Sequence, residues 1–182
     1  MQISDADIDD VREIQRVARA TWDHTYRDTI PEEVRAEFVR RAYSDEELLQ
    51  RIANDVFLLA AQGGEVVAFA DFLPGPDGTA ELAAIYVLPE MQGQGLGSRL
   101  LDAGLSRFPP NTRFVLSVER DNPKARRFYE ARGFRPVREL VDVYFGHEFH
   151  DVERVPNRGG RRQFSALFPS EQRVLQHLAT VW

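Results

Sequence analysis

The sequence predicts an α/β fold in a single domain. Stretches with helical spacing of apolar residues alternate with short β-rich runs, and 182 residues is a typical length for one domain. The hydrophobic share of 43% suits a chain with a packed core. The third observation is a strand that runs through a glycine-rich loop directly into an amphipathic helix, at residues 82–101.

Three helices are predicted in the first third of the chain. Ser4 with Asp7 can start a helix, and apolar residues then recur at helical spacing, so the first helix is expected at residues 6–21. Pro31 opens a second helical stretch, and Ser44 caps a third that runs to about residue 54. We therefore expect a helical arm before the sheet.

Strands follow this helical arm. Residues 56–61 and 65–73 are β-rich and flank Gly63 and Gly64, a typical hairpin signal. A third strand is expected at residues 79–88.

The rest of the domain alternates helix and strand. A helix is expected from Leu96, followed by a buried type of strand at residues 113–119. Asn122 before a proline is typical of a helix N-cap, and Gly133 is typical of the end of that helix. Residues 134–155 predict a final pair of strands.

Composition excludes several classes of function. The chain has no cysteine, which excludes disulfides, thiolate zinc sites and a cysteine nucleophile. The net charge of −6 argues against a nucleic-acid-binding protein, since such proteins carry a basic surface. No apolar run approaches the roughly 18 residues of a membrane span, and the polar first residues are not a signal peptide. We expect a cytoplasmic protein with no nucleic-acid or membrane partner.

The histidines give no metal-binding pattern. His147 and His150 lie three residues apart in a predicted strand, so their side chains point to opposite faces. We expect no metal.

The glycine-rich loop predicts an anion site. Gly93, Gly95 and Gly97 have no Cβ, so the backbone can approach a ligand closely. The first turn of the following helix offers unpaired N–H groups and the positive end of the helix dipole. A phosphate or pyrophosphate is the expected ligand.

Two familiar phosphate loops do not fit this segment. A Walker A loop ends in Gly-Lys-Ser/Thr, and no lysine is present here. A dinucleotide fingerprint needs GxGxxG directly after the strand. From Gly93 the sequence reads GxGxxS, and residues 89–92 separate it from the strand, although Glu119 lies at the distance expected of the acidic partner.

A third pattern fits without a gap. The segment Gln92-Gly-Gln-Gly-Leu-Gly97 resembles the acyl-CoA loop of the GNAT superfamily of N-acetyltransferases, whose signature is Q/RxxGxG/A. Residues 122–134 match the family's second signature, Asn-x-x-Ala-x-x-x-Tyr-x-x-x-Gly-Phe. Trp22 and Tyr26, followed by Ile-Pro, resemble its first helix and linker. The resemblance covers about residues 1–155, leaving a tail at 156–182.

The resemblance implies a mixed, mostly antiparallel sheet of six to seven strands flanked by helices. It implies an enzyme that moves an acetyl group from acetyl-CoA to an amine acceptor, either a small molecule or a peptide. Because no cysteine can carry the acyl group, direct transfer in a ternary complex is expected. The alternative is a coenzyme A binding module without catalysis.

The resemblance also assigns a cofactor site. The backbone of residues 85–87, before the loop, would bind the pantetheine arm, although the same residues also suit a core strand. Asn122 would contact pantetheine, although its N-cap role alone explains it. The implied cofactor-binding residues are Ile85, Tyr86, Val87, Gln92, Gly93, Gln94, Gly95, Leu96, Gly97, Ser98, Asn122, Phe128 and Tyr129.

Two residues are candidates for catalysis. A departing thiolate has a pKa of about 8.5 and a phenol of about 10, so Tyr129 can donate a hydrogen bond or a proton to it. The family assigns the general acid to this position, whereas the alternative is a half-buried core tyrosine. Glu81 occupies the position of the general base in the histone-acetylating branch, and its alternative is a solvated strand end.

Aromatic residues are candidates for an acceptor pocket, and the tail is a candidate for a dimer interface. The aromatic candidates for an acceptor pocket, each of which also suits the core, are Trp22, Tyr26, Phe72, Tyr144 and Phe145. Apolar side chains in residues 164–182 must cover another surface, and we expect a homodimer with the tail at its interface. A nucleic-acid or partner-binding role for the tail is the alternative.

Overall fold

The computed structural model describes residues 2–156. It contains seven strands and five α-helices, with short 3-10 turns at Ile8–Asp10 and Pro89–Met91. In chain order the elements are β1 (Gln2–Asp5), α1 (Val11–Tyr26), α2 (Glu32–Ala42), α3 (Asp45–Asn54), β2 (Val56–Gln62), β3 (Glu65–Pro74), β4 (Thr79–Val87), α4 (Leu96–Leu105), β5 (Arg113–Glu119), α5 (Pro123–Glu130), β6 (Phe134–Tyr144) and β7 (His147–Pro156).

The strands form one sheet in the order β1-β2-β3-β4-β5-β7-β6. Only the β4–β5 pair is parallel, and every other pair is antiparallel. The predicted mixed, mostly antiparallel sheet is confirmed. The tail at 157–182, with its expected amphipathic helix, lies outside the described residues.

Local signals explain most element boundaries. Gly63 and Gly64 both have positive φ, at 63° and 89°, and turn β2 into β3 as expected. The side chain of Ser44 accepts a hydrogen bond from the backbone N–H of Glu47 and starts α3. Gly104 lies directly over the ring of Phe72, where a Cβ would come within 2.0 Å of it, which explains a glycine in α4.

The structure differs from the prediction at the first helix, at an additional strand and at the final turn. The helix start is at Asp7, whose side chain accepts from the N–H of Asp9 and opens a 3-10 turn, so α1 begins at Val11 and extends to Tyr26. Strand β1 was not predicted, because four residues at a sheet edge give little pattern. The final turn lies at Phe145 and Gly146, both with positive φ, rather than between residues 143 and 144.

Strands β4 and β5 separate partway along their length. Their pairing runs only from Thr79 opposite Arg113 to Leu82 opposite Leu116. A bulge in the β3–β4 register follows at this level, and beyond it β5 stays paired only along its other edge, with β7. An opening therefore lies between residues 83–87 of β4 and 117–119 of β5.

The described part contains no helix that is long and apolar enough to cross a membrane.

Candidate active site

The glycine-rich loop leads into the N-terminus of α4 beside this opening. Gly93 and Gly95 have φ of 76° and 79°, which is the left-handed region that glycine tolerates best. Gly95 is the N-cap of α4, and no side chain caps this end of the helix within the described residues. The first N–H groups of α4 are thus available to an anion.

A cavity of about 170 Å³ lies against this helix end and is closed on its far side by Phe128 and Arg132. The guanidinium of Arg132 lies 3.6 Å from the centre of the Phe128 ring and donates a hydrogen bond to the side chain of Ser98. A cation next to free N–H groups makes a site for a phosphate or pyrophosphate. The sequence reasoning missed Arg132, although its place at the end of α5, three residues after Tyr129, was a usable signal.

Gln92 connects the loop to α5. Its side chain donates to the carbonyl oxygen of Val87 at 3.2 Å and accepts from the Nζ of Lys124 at 2.9 Å. A second cavity, of about 230 Å³, lies beyond it and is lined by Tyr26, Gln92, Asn122 and Lys124 among others. Gln92 lines both cavities, so the loop cavity adjoins a space between α1 and α5. Lys124 is a second residue that the sequence reasoning missed.

Asn122 and Tyr129 both bury polar atoms that have no partner in the described part of the chain. The Oδ1 of Asn122 accepts from the N–H of Ala125 at 3.0 Å, which confirms its N-cap role. Its Nδ2 and the hydroxyl of Tyr129 are buried without a hydrogen-bond partner among residues 2–156. Buried polar groups are rarely left unpaired in folded proteins, so these two atoms are candidates for contact with a ligand.

Tyr129 is fully buried. Burial first, and then the neighbouring Tyr86, raises the pKa of the Tyr129 phenol well above its usual value of about 10. The phenol is therefore protonated at neutral pH and can donate a hydrogen bond or a proton.

Residues 85–87, expected along the pantetheine arm, line the β4 edge of the opening, and their side chains are buried in the core. Their side chains therefore belong to the core, and binding of the pantetheine arm by their backbone stays a prediction. Leu96 and Gly97 are buried in the first turn of α4, whereas Gln94 is exposed and lies over the loop.

Glu81 lies on β4 just before the opening and is only 3% exposed. The interpretation of this residue as a solvated strand end is therefore wrong. Its charge raises the pKa of Asp55, Asp71 and Asp151, which places it among other buried carboxyl groups.

The aromatic candidates divide into two groups. The Trp22 ring stacks on the Phe38 ring with 4.2 Å between centroids, and its centroid lies 4.8 Å from that of Tyr26. The ring centroids of Tyr144 and Phe38 are 6.2 Å apart. Three of the candidates therefore share one aromatic cluster. The indole N–H of Trp22 donates to the hydroxyl of Tyr86 at 2.8 Å.

The other two candidates lie elsewhere. Phe72 packs under Gly104 of α4, away from the cluster, as part of the core. Phe145 is 42% exposed at the β6–β7 turn, with Arg41 over its ring at 4.7 Å. Phe149 of β7, 5.3 Å from the Tyr144 ring, belongs to the cluster and was missed.

Across residues 2–156, no group of three His, Cys, Asp or Glu side chains is placed to hold a metal ion.

Comparison with known proteins decides the family. A sequence model described as the acetyltransferase (GNAT) family matches residues 14–134. The chain belongs to the GNAT family. The matched region begins in α1 and ends after α5, so it contains the loop, the opening and both unpartnered groups.

Relatives of the same family support this membership. An uncharacterized N-acetyltransferase, YuaI, from Bacillus subtilis is 33% identical over 78% of this chain and 83% of its own length. Spermidine N(1)-acetyltransferase from Thermoplasma acidophilum is 28% identical over 74% of this chain and 88% of its own length. A crystal structure of PaiA N-acetyltransferase from Thermoplasma acidophilum in complex with coenzyme A has a TM-score of 0.68 and 26% identity. The structural match covers 84% of this chain and 96% of the PaiA chain.

Family membership confirms three expectations. The chain has the GNAT fold, it is an acyltransferase of the N-acetyltransferase type, and acetyl-CoA is the cosubstrate of its family. The residues assigned to cofactor, acceptor and catalysis stay predictions.

Proposed function

We propose that this protein transfers an acetyl group from acetyl-CoA directly to an amine acceptor within a ternary complex. One observation carries the proposal. The opening between β4 and β5 ends at an anion-binding helix terminus on one side, and the buried, unpartnered Asn122 Nδ2 and Tyr129 hydroxyl belong to the helix that adjoins it.

The residues fit the parts of acetyl-CoA. The N–H groups of the loop and α4, from Gly93 to Ser98, together with Arg132, suit the pyrophosphate. The backbone of residues 85–87 and the Nδ2 of Asn122 suit the amide groups of the pantetheine arm. Phe128 supplies an apolar wall to the loop cavity.

In the transfer step, the acceptor nitrogen forms a bond to the thioester carbonyl carbon and the carbon–sulfur bond breaks. The leaving thiolate takes a hydrogen bond or a proton from the Tyr129 hydroxyl, and the proton that the nitrogen loses as the amide forms balances the one taken up by the thiolate. An alkyl ammonium with a pKa of about 10.4 must lose a proton before it attacks. Glu81 is buried beside the opening and is assigned to accept that proton.

Two-substrate kinetics test this proposal. Because the chain has no cysteine, a thiol reagent can follow release of coenzyme A without background from the protein. A panel of amines should each be varied against acetyl-CoA, and direct transfer predicts double-reciprocal lines that intersect. Parallel lines would contradict a ternary complex, and thiol release that does not depend on any amine would contradict amine acetylation.

We also propose a cytoplasmic homodimer. Residues 164–182, outside the described part, carry apolar side chains such as Phe164, Phe168 and Trp182, and two-fold dimers are the commonest assemblies. Light scattering on the full chain and on a chain truncated after Val155 tests the assembly. A monomeric full chain would contradict the proposal.

A further inference from the structure

Asp151 of β7 is a buried carboxyl group that the transfer step does not use. It is 2% exposed, and its Oδ1 has no hydrogen-bond partner among residues 2–156. It lies directly opposite Glu119 in the β5–β7 ladder, which places the two side chains on one face with Cβ atoms about 5 Å apart. An unpaired acid at this depth is costly unless something else binds to it.

Other acids reach the same space. Burial first, and then the charges of Glu119, Asp142 and Glu81, raise the pKa of Asp151 well above its usual range. Burial also raises the pKa of Glu119. The groups of neighbouring strands that share this face are Glu81, Glu119, Arg138, Asp142, Tyr144, His147 and Glu153.

The described cations of this face already have partners. Arg138 pairs with Glu153 at 2.6 Å, and further along the sheet Arg51 pairs with Asp71 at 2.7 Å. The ring of His147 packs against Phe149. Within residues 2–156 no ion pair is formed by Asp151, whereas Glu119 accepts a hydrogen bond from the backbone N–H of His150 at 3.1 Å and feels the charge of that side chain. The unpaired carboxyl group of Asp151 therefore attracts a cation from outside.

Aromatic residues share the face of the sheet on which Asp151 lies, since Phe149 is two residues away on β7 and Tyr144 pairs with His147 of that strand. The hydroxyl of Tyr144 is buried without a partner within the described range, and Asp151 is among the groups that raise the pKa of this phenol. The rings of Tyr144, Phe38 and Phe149 lie within 6.2 Å of one another. Aromatic walls suit both methylene groups and ammonium groups, whereas the carboxyl groups suit only the latter.

We propose that Asp151, supported by Glu119, binds a second ammonium group of the acceptor, so that the preferred acceptor is an aliphatic diamine or polyamine. This inference rests on the proposed acetyl transfer. Glu81 lies opposite Val115, and Glu119 follows four residues later on β5, a span of about 13 Å along the strand. One amine near Glu81 and a second one near Asp151 match two separated positive charges.

Matched acceptors test the proposal by turnover. The value of kcat/KM for 1,8-diaminooctane should be compared with that for 8-aminooctan-1-ol, which has the same length and lacks the second charge. Wild type should favour the diamine by roughly tenfold or more, as expected of a charge-assisted hydrogen bond. Asp151→Asn should bring the ratio close to one, through KM rather than kcat.

Glu148→Gln is the matched control, since Glu148 lies on the same strand with a side chain that is 64% exposed. This variant should keep the wild-type preference for the diamine.

Thermal unfolding checks the fold of both variants. The melting temperature of Asp151→Asn should stay the same or rise, because the change removes a buried carboxyl group without a partner. A purely structural role would lower it.

Calorimetry separates this inference from the proposed function. We expect 1,8-diaminooctane to bind the full-length protein saturated with coenzyme A and to release a proton, because the bound cation stabilises ionised Asp151. Titrations in buffers of different ionisation enthalpy measure that proton, and Asp151→Asn should abolish its release.

Diamine binding that depends on Asp151 but leads to no acetylation would uphold the acceptor site and overturn the transfer. Equal acetylation of the diamine and the amino alcohol, unchanged in Asp151→Asn, would overturn the site alone. If the protein shows no turnover and no binding that depends on Asp151, both the transfer and the acceptor site are overturned.

Discussion

Replacing Tyr129 with Phe removes one buried hydroxyl group and keeps the ring. The ring packs against Phe128 and Phe134, with centroid distances of 5.1 and 5.7 Å, and these contacts are retained in the variant. The hydroxyl has no partner within residues 2–156, so its removal breaks no hydrogen bond there. The change therefore isolates the function of the hydroxyl from its packing.

The magnitude follows from the same geometry. A buried hydroxyl without a partner costs about 1–3 kcal/mol, so the free energy of unfolding should stay unchanged or rise in Tyr129→Phe. Loss of a general acid typically lowers turnover by about 10²–10⁴. Affinity for acetyl-CoA should change little, because the loop and Arg132 remain intact.

The assay is release of coenzyme A with a saturating amine, together with calorimetry for acetyl-CoA binding. Tyr43→Phe is the control, since Tyr43 is a buried tyrosine that packs against Phe69 in the core, 5% exposed. The control should keep its turnover. Unchanged turnover in Tyr129→Phe would refute the reasoning and make Tyr129 a core residue.

Three further predictions follow. Gly95→Val should weaken acetyl-CoA binding in calorimetry, because valine is strained at φ 79° and would distort the loop, whereas the open space around its Cβ should let the domain fold; Gly64→Val, at φ 89° in the β2–β3 turn, is the control for such strain, and wild-type binding in Gly95→Val would reject the loop site. Glu81→Gln should lower the rate near neutral pH and recover at high pH, where free amine is abundant; a constant ratio to wild type across pH would reject Glu81 as the base. Burial and the neighbouring Asp71 raise the pKa of Asp55 to about 8, so the folded state gains a proton relative to the unfolded state and stability is lost as pH rises through that value. Asp55→Asn should flatten this fall in melting temperature between the ordinary pKa of an aspartate, about 4, and pH 8, and parallel curves over that range would contradict the assignment.

The sequence was most informative where structure is local. The N-cap of Asn122, the hairpin at Gly63 and the loop before α4 each depend on residues within one turn, so short patterns predicted them. The family signatures placed Tyr129 on the correct helix. Its burial and unpartnered hydroxyl could only be read from the folded chain.

Contacts between distant strands could not be predicted. Asp151 faces Glu119 through the register of β5 with β7, strands that are separated by a helix and another strand in sequence. The burial of Glu81 likewise depends on neighbours from other elements, and a strand end after a turn gave no sign of it. Arg132 reaches Ser98 because the fold brings the segment after α5 next to the first turn of α4.

Mass spectrometry of the acceptor tests the central claim most directly. The full-length protein should be incubated with acetyl-CoA and 1,8-diaminooctane, with a second reaction that lacks the protein. The account predicts a protein-dependent product heavier by one acetyl group, with one coenzyme A released for each product molecule. Binding of acetyl-CoA without an acetylated amine, across the whole amine panel, would contradict the account and indicate a coenzyme A binding module.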